Sequence, residues 1–314
     1  MRSARSYAVA GATLASLLLA ACGGGGGAAD PLSQSSASAS GSGSASAAGP
    51  IVVGSADFTE SKVVAELYSQ ALAAKGITSS TKPGIGSREV YLKALKDGSV
   101  SVVPEYTGNL LLFFDKDATA TTAAEVEESL PKALPADFTL GKRSEAVDQD
   151  VYVVTKEYSE KNGVTSLADL KKVAGDAVLG GPSTLATRPY GVPGLEKVYG
   201  AKFKAFKPYD SPAVRSRDLN DDKIQVAEFF STEAVIPDNG YVALEDPEAI
   251  ILPQNVVPLM RAEVADNPAA VAAIDAVQGA LTTEELTALN KLVDVDKEDP
   301  DDVAGKWLTS KGLA

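Results

Sequence analysis

The chain has 314 residues, 45% of them hydrophobic and 23% charged, enough to build the cores of two ordinary soluble domains. Its 42 acidic against 29 basic residues leave a net charge of −13, with no Lys/Arg-rich run to offset it, so nucleic acid is not an expected partner. Histidine is absent and cysteine occurs once, which rules out histidine general bases, Ser-His and Cys-His nucleophile pairs, histidine zinc sites and any intramolecular disulfide.

Residues 1–22 read as a secretory signal. Arg2 and Arg5 form a basic start, residues 7–19 an apolar run too short to span a bilayer, and Leu19-Ala20-Ala21-Cys22 closes it. Small residues directly before the only cysteine resemble a bacterial lipobox, in which Cys22 is lipidated and becomes the first mature residue; the five glycines that follow suit a tether. The stretch up to Pro50 is rich in Ser, Ala and Gly without apolar periodicity, so residues 23–50 are read as a flexible linker.

A folded texture begins at Ile51. Residues 51–55 form a short apolar strand, and Thr59 is placed to cap a helix whose apolar positions Val63, Val64, Leu67, Ala71 and Leu72 recur at helical spacing until Gly76. Gly84-Ile85-Gly86-Ser87 leads into a second helix that Gly98 stops. It lacks both the third glycine of a dinucleotide loop and the Gly-Lys-Ser/Thr ending of a nucleotide loop, so no phosphate site is read there. Residues 100–103 form a strand that Pro104 should stop, and Gly108 permits a close turn before the apolar run 110–114. Tyr106 then lies at the carboxyl end of a strand and the start of a helix, the edge at which open α/β sheets bind ligands. Taken alone, Pro104-Glu105-Tyr106-Thr107-Gly108 is also a plain strand-to-helix turn.

Residues 123–134 form a helix with acids in its first turn, where the helix dipole favours them. A new strand at residues 151–154 opens a second run of short elements at 167–172, 177–180, 195–199, 203–206, 213–219 and 224–227. Strands at 241–244 and 256–260 close that run and carry the chain back. Three terminal helices show caps at Asn267 before Pro268, at Thr282 with Glu285 as a capping box, and at Asp299 before Pro300. Trp307, one turn after Val303, reads as core. The alternation of strands and helices throughout implies an α/β fold with mostly parallel sheets.

Five stretches together resemble the extracytoplasmic substrate-binding proteins of glycine betaine, choline and related quaternary-amine ABC transporters. They are Gly54-Ser55-x-x-Phe58-Thr59-Glu60, Pro104-Glu105-Tyr106-Thr107-Gly108, Arg188-Pro189-x-Gly191-x-Pro193-Gly194-Leu195, Phe230-Ser231-Thr232 and Val257-Pro258-Leu259. The resemblance implies a two-lobed, type II periplasmic-binding-protein-like fold hinged on crossover strands, with residues 51–148 and 256–314 in lobe 1 and 149–255 in lobe 2. It implies a solute receptor and no enzyme, without a cofactor, working as a monomer with an ABC permease and its ATPase, and held to the membrane through lipid on Cys22.

In that family a cage of aromatic rings holds the quaternary ammonium, which has no N–H to donate and is selected by ring faces and partial negative charge. Carried over, Tyr106 matches a cage ring of the first lobe, and Tyr152 and Phe230 fall near cage positions of the second. Asp150 would face the cation, Arg188 would fork onto a ligand carboxylate, and Thr107 belongs to the same motif as Tyr106. Departures stand at Ala56, where lysine is frequent, at Asn109, where a second threonine is frequent, and at Gln254-Asn255, where tyrosines are frequent; Tyr190 and Val192 also depart from the usual run after Arg-Pro. These suggest a looser, more amide-lined site. The alternative is therefore the same scaffold for a larger, neutral or aromatic ligand stacked on Tyr106 and held by Asn109, Asn255 and Arg188. Enzyme chemistry would need a carboxylate pair such as Glu105 and Asp150 across the cleft.

Overall fold

The computed structural model describes residues 49–314. The expected signal segment, Cys22 and the linker as far as residue 48 lie outside the described residues.

The strands are β1 (Ile51–Gly54), β2 (Ser79–Lys82), β3 (Val102–Tyr106), β4 (Phe138–Leu140), β5 (Asp150–Val154), β6 (Val178–Gly181), β7 (Ala205–Pro208), β8 (Val226–Phe230), β9 (Val242–Ala243) and β10 (Val256–Arg261). The helices begin with α1 (Thr59–Ala74), α2 (Arg88–Asp97), α3 (Thr107–Phe114), α4 (Ala123–Ala133), α5 (Lys156–Asn162) and α6 (Val192–Tyr199). They continue with α7 (Pro212–Asn220), α8 (Val235–Asn239), α9 (Ala262–Ala265), α10 (Pro268–Ala280), α11 (Thr283–Asp294) and α12 (Pro300–Lys311). No helix among the described residues is long and apolar enough to cross a membrane.

The strands form two five-stranded sheets, ordered β2-β1-β3-β10-β4 and β7-β6-β8-β5-β9. The expected α/β, two-lobed fold is present, but each sheet is mixed, with two parallel and two antiparallel pairings. The reason is topological. Strands β5 and β10 each enter their sheet by crossing from the other lobe, without the helical return that a parallel neighbour requires. The two crossing segments are paired with each other: Ser144 N–H donates to Val256 O (2.9 Å), Val256 N–H to Ala146 O (3.1 Å) and Asp148 N–H to Gln254 O (3.0 Å).

Pro104 does not stop β3, which runs through it to Tyr106 with Pro104 opposite Pro258 of β10. Neither proline has an N–H, so the two share a position of the antiparallel ladder at which no hydrogen bond is exchanged. Tyr106 is nonetheless the last residue of its strand, with α3 starting at Thr107. Gly108 is required there by close approach: a Cβ would lie 2.6 Å from Leu252 Cβ and 2.7 Å from Pro253 O.

Thr59 does not cap α1. It is the first helical residue, and its hydroxyl donates to Asp294 of α11 (2.6 Å), which ties the two helices. Asn267 caps α10 and Thr282 caps α11, whereas Asp299 makes no side-chain cap bond to α12. Glu285 turns from the expected capping box to accept from Trp307 Nε1 and Lys311 Nζ. Trp307 is buried in an apolar cluster that joins α1, α10, α11 and α12 to one face of the first sheet. A second cluster runs from α2, α3 and α4 of the first lobe to Leu167, Leu179, Leu195 and Leu252 of the second.

Candidate functional site

A cleft of about 580 Å³ opens between the lobes, at the carboxyl ends of β3 and β8. Three rings form one wall. Phe58 is the extended residue before α1, which turns its ring out of the helix; its centroid lies 5.9 Å from Tyr106 and 5.2 Å from Phe230, with the planes tilted by 40° and 43°. Phe58 and Tyr106 belong to the first lobe and Phe230 to the second, so the wall is complete only where the lobes meet.

Beneath these rings lies a carboxylate cluster. Glu60 Oε1 accepts from the Tyr106 hydroxyl (2.8 Å), and Oε2 accepts from Thr232 Oγ1 (2.6 Å) and Asn290 Nδ2 (2.7 Å). Asp148 Oδ1 accepts from Thr232 N–H (3.2 Å) and lies 3.0 Å from the same threonine oxygen. One hydroxyl proton thus serves two carboxyl groups, and no basic side chain among the described residues is hydrogen-bonded or ion-paired to either. Burial pushes the Glu60 carboxyl up despite its three donors, and pushes Asp148 well above the carboxylate range, with the Glu60 charge adding to the shift. Asp150, at the start of β5, accepts from Asn109 Nδ2 (2.9 Å); its carboxyl is also raised by burial, against which that hydrogen bond works.

The guanidiniums of the cleft are engaged by the protein. Arg88 is paired with Glu105 through Nε to Oε1 (2.9 Å) and Nη2 to Oε2 (2.8 Å). Arg188 reaches across the cleft mouth to Glu89 of α2, with Nη1 and Nη2 2.6 and 3.2 Å from its two oxygens. Glu89 is lowered to about 2, because Arg188 and Ser87 outweigh its partial burial. Arg188 is held in a tight loop: a Cβ on Gly191 would lie 2.0 Å from Leu185 O, and one on Gly194 would lie 1.9 Å from Pro189 O. Chemically, the cleft offers ring faces, carboxyl groups without a basic partner and hydrogen-bond acceptors, an arrangement suited to a soft cation.

Over residues 49–310 the chain matches the substrate binding domain of ABC-type glycine betaine transport systems. It belongs to that family. The family is one of solute-binding proteins and not an enzyme class. Among its relatives, the glycine betaine-binding protein YehZ of Escherichia coli (strain K12) is 25% identical over 279 residues, 84% of this chain and 92% of that protein. The carnitine transport binding protein OpuCC of Listeria monocytogenes is 23% identical over 82% of this chain and 85% of that protein. A crystal structure described as a glycine betaine/carnitine/choline ABC transporter shares the fold, with a TM-score of 0.67 at 22% identity over 84% of this chain and 99% of that one.

Within this binding-protein cleft the structure brings together Tyr106, Asn109, Asp150, Arg188 and Phe230. The other three expected residues stand outside its lining. Thr107 and Asn255 join the crossing segment to the start of α3: Thr107 Oγ1 donates to Pro253 O (3.1 Å) and accepts from Asn255 N–H (3.1 Å), while Asn255 Nδ2 donates to Ser144 O (3.1 Å). Tyr152 is fully buried, its hydroxyl donating to Tyr190 O (2.8 Å), so it supports the Arg188 loop from behind. Arg188 itself lines the cleft with its fork on Glu89. Glu105, the partner that acid–base chemistry with Asp150 would need, is locked to Arg88 and Tyr91.

Phe58, Glu60, Asp148, Thr232 and Asn290 were not among the expected site residues. Phe58, Glu60 and Thr232 lie within the quoted motifs, which was the available signal. For Asp148 and Asn290 there was none, since Asn290 meets Glu60 across 230 positions of sequence.

Proposed function

We propose that this protein is the solute-capturing component of an ABC importer, which takes a quaternary-ammonium osmoprotectant of the glycine betaine or choline type into the cleft. It delivers the closed complex to a membrane permease with its ATPase, and it works outside the cytoplasm on a lipid anchor at Cys22. The observation that carries this reading is the wall of Phe58, Tyr106 and Phe230 standing over Glu60 and Asp148. Three ring faces at up to about 2 kcal/mol each, when desolvated, supply much of the roughly 8 kcal/mol of micromolar binding. The names of the relatives, which cite glycine betaine and carnitine, agree with this class of solute.

Closure follows from bound solute stabilising the state in which both lobes contribute to the wall. Calorimetric titration with glycine betaine, choline, carnitine and proline betaine tests the reading. At least one of the four binds in the micromolar range, and Phe58→Ala weakens it by about tenfold or more. Absence of heat with all four from a folded protein rejects the quaternary-ammonium class and points to the larger or aromatic ligand.

A further inference from the structure

The polar lining of the cleft is one-sided. Seven of its residues are Asp or Glu and four are Lys or Arg, and the three arginines all have carboxylate partners inside the protein. Arg88 is held by Glu105, Arg188 by Glu89, and Arg215 sits between Glu228 and Glu233 at 3.7 and 3.5 Å, with its guanidinium 4.2 Å from the Phe229 centroid. The remaining base, Lys62, is half-buried on α1 and also faces the neighbouring surface groove with Glu66 and Asp299. A ligand carboxylate would therefore meet two guanidiniums already forked onto carboxylates of the protein, a third set between two more, and a lining with more acids than bases.

The hydrogen-bonding inventory points the same way. Two buried amide oxygens of the lining, Asn109 Oδ1 and Asn290 Oδ1, have no hydrogen-bond partner among the described residues. Their orientation is set by the other end of each amide, because Asn109 Nδ2 donates to Asp150 (2.9 Å) and Asn290 Nδ2 to Glu60 (2.7 Å). Among the described residues, the one buried unpartnered donor of the lining, Arg215 Nε, belongs to the guanidinium lying over Phe229. An unpaired buried acceptor is costly, and a ligand hydroxyl satisfies it by donating.

Resting on the quaternary-ammonium reading, we infer that the cleft selects a quaternary-ammonium alcohol, a monocation that carries a hydroxyl and no carboxylate, over the zwitterionic betaines. The bound cation favours the ionised forms of Glu60, Asp148 and Asp150, which then supply the counter-charge, and Asn109 or Asn290 accepts the hydroxyl. Discrimination comes as much from repelling a carboxylate as from attracting the cation.

The test is calorimetric titration of the protein with choline, glycine betaine and 3,3-dimethylbutan-1-ol, the last matching choline in shape and hydroxyl but lacking its charge. Choline binds about tenfold or more tightly than either of the others, and Asp150→Asn, folded by circular dichroism, narrows the choline-to-betaine ratio. Glycine betaine binding as tightly as choline overturns the inference and leaves the quaternary-ammonium reading standing, whereas dimethylbutanol matching choline overturns both, since the ammonium charge then contributes nothing. Binding of none of the three by the folded protein removes the reading and the inference together. The wild-type comparison decides the question even if the variant does not fold.

Discussion

The two lobes each bring a buried arginine to the cleft, and the two sites are built differently. Arg88 of the first lobe meets Glu105 through two short bonds, and the same carboxylate accepts from the Tyr91 hydroxyl (2.8 Å) and the Tyr106 backbone N–H (3.1 Å), so the pair is satisfied and fixes the end of β3. Arg215 of the second lobe stands 3.5–3.7 Å from its acids, and among the described residues neither its Nε nor either oxygen of Glu228 has a hydrogen-bond partner. Burial raises the Glu228 carboxyl well above the carboxylate range, and the Arg215 charge, at this longer distance, works against that shift. One lobe presents a preorganised ring platform; the other presents a slack polar wall able to adjust.

Removing Glu105 should break this contrast most severely. Glu105→Gln leaves a buried guanidinium without its charge partner and should cost about 3–5 kcal/mol, read from urea unfolding as a lower midpoint at an unchanged slope. A pH effect of up to about 3 kcal/mol is expected from the second lobe, where burial holds Glu233 at about 7 against an ordinary 4.5, although Arg215 pulls it down. The folded state binds the extra proton, so this stability is fully present below pH 4.5 and is lost as pH rises through 7. Glu233→Gln should flatten unfolding free energy over that window, and a wild-type curve that rises there instead would contradict it. Gly108→Ala, which presses a methyl against Leu252 and Pro253 at the hinge, should cost about 1–3 kcal/mol. Arg215→Met should cost less than Glu105→Gln, about 1–2 kcal/mol, because its contacts at 3.5–3.7 Å are longer and it faces carboxyls that burial already raises. A loss as large as that of Glu105→Gln would erase the distinction between the lobes.

Much of this architecture is legible from apolar periodicity. The strands β1, β5, β6 and β8 and the helices α1, α2 and α10 to α12 announce themselves by spacing and caps. The edge strand β2 does not, since Ser79-Ser80-Thr81-Lys82 is polar and alternates half-buried with exposed positions. Tyr152 shows where period-two reasoning reaches its limit. It shares the face of β5 with Asp150, as alternation requires, but lies two residues deeper, where the Tyr190 loop covers it. Arg188 was read as a fork for a carboxylate, and it forks onto a carboxylate of the protein's own, because Glu89 reaches it only once the lobes meet. The Glu60–Thr232 contact spans 172 positions, and no local pattern encodes such a pairing.

The most direct measurement is a crystal structure of the protein grown with choline. The account places the trimethylammonium group against Phe58, Tyr106 and Phe230, within about 6 Å of each ring centroid, with Glu60 and Asp148 as the nearest carboxyl groups. Choline bound elsewhere, or held in the cleft with its ammonium turned from those rings toward solvent, would contradict it.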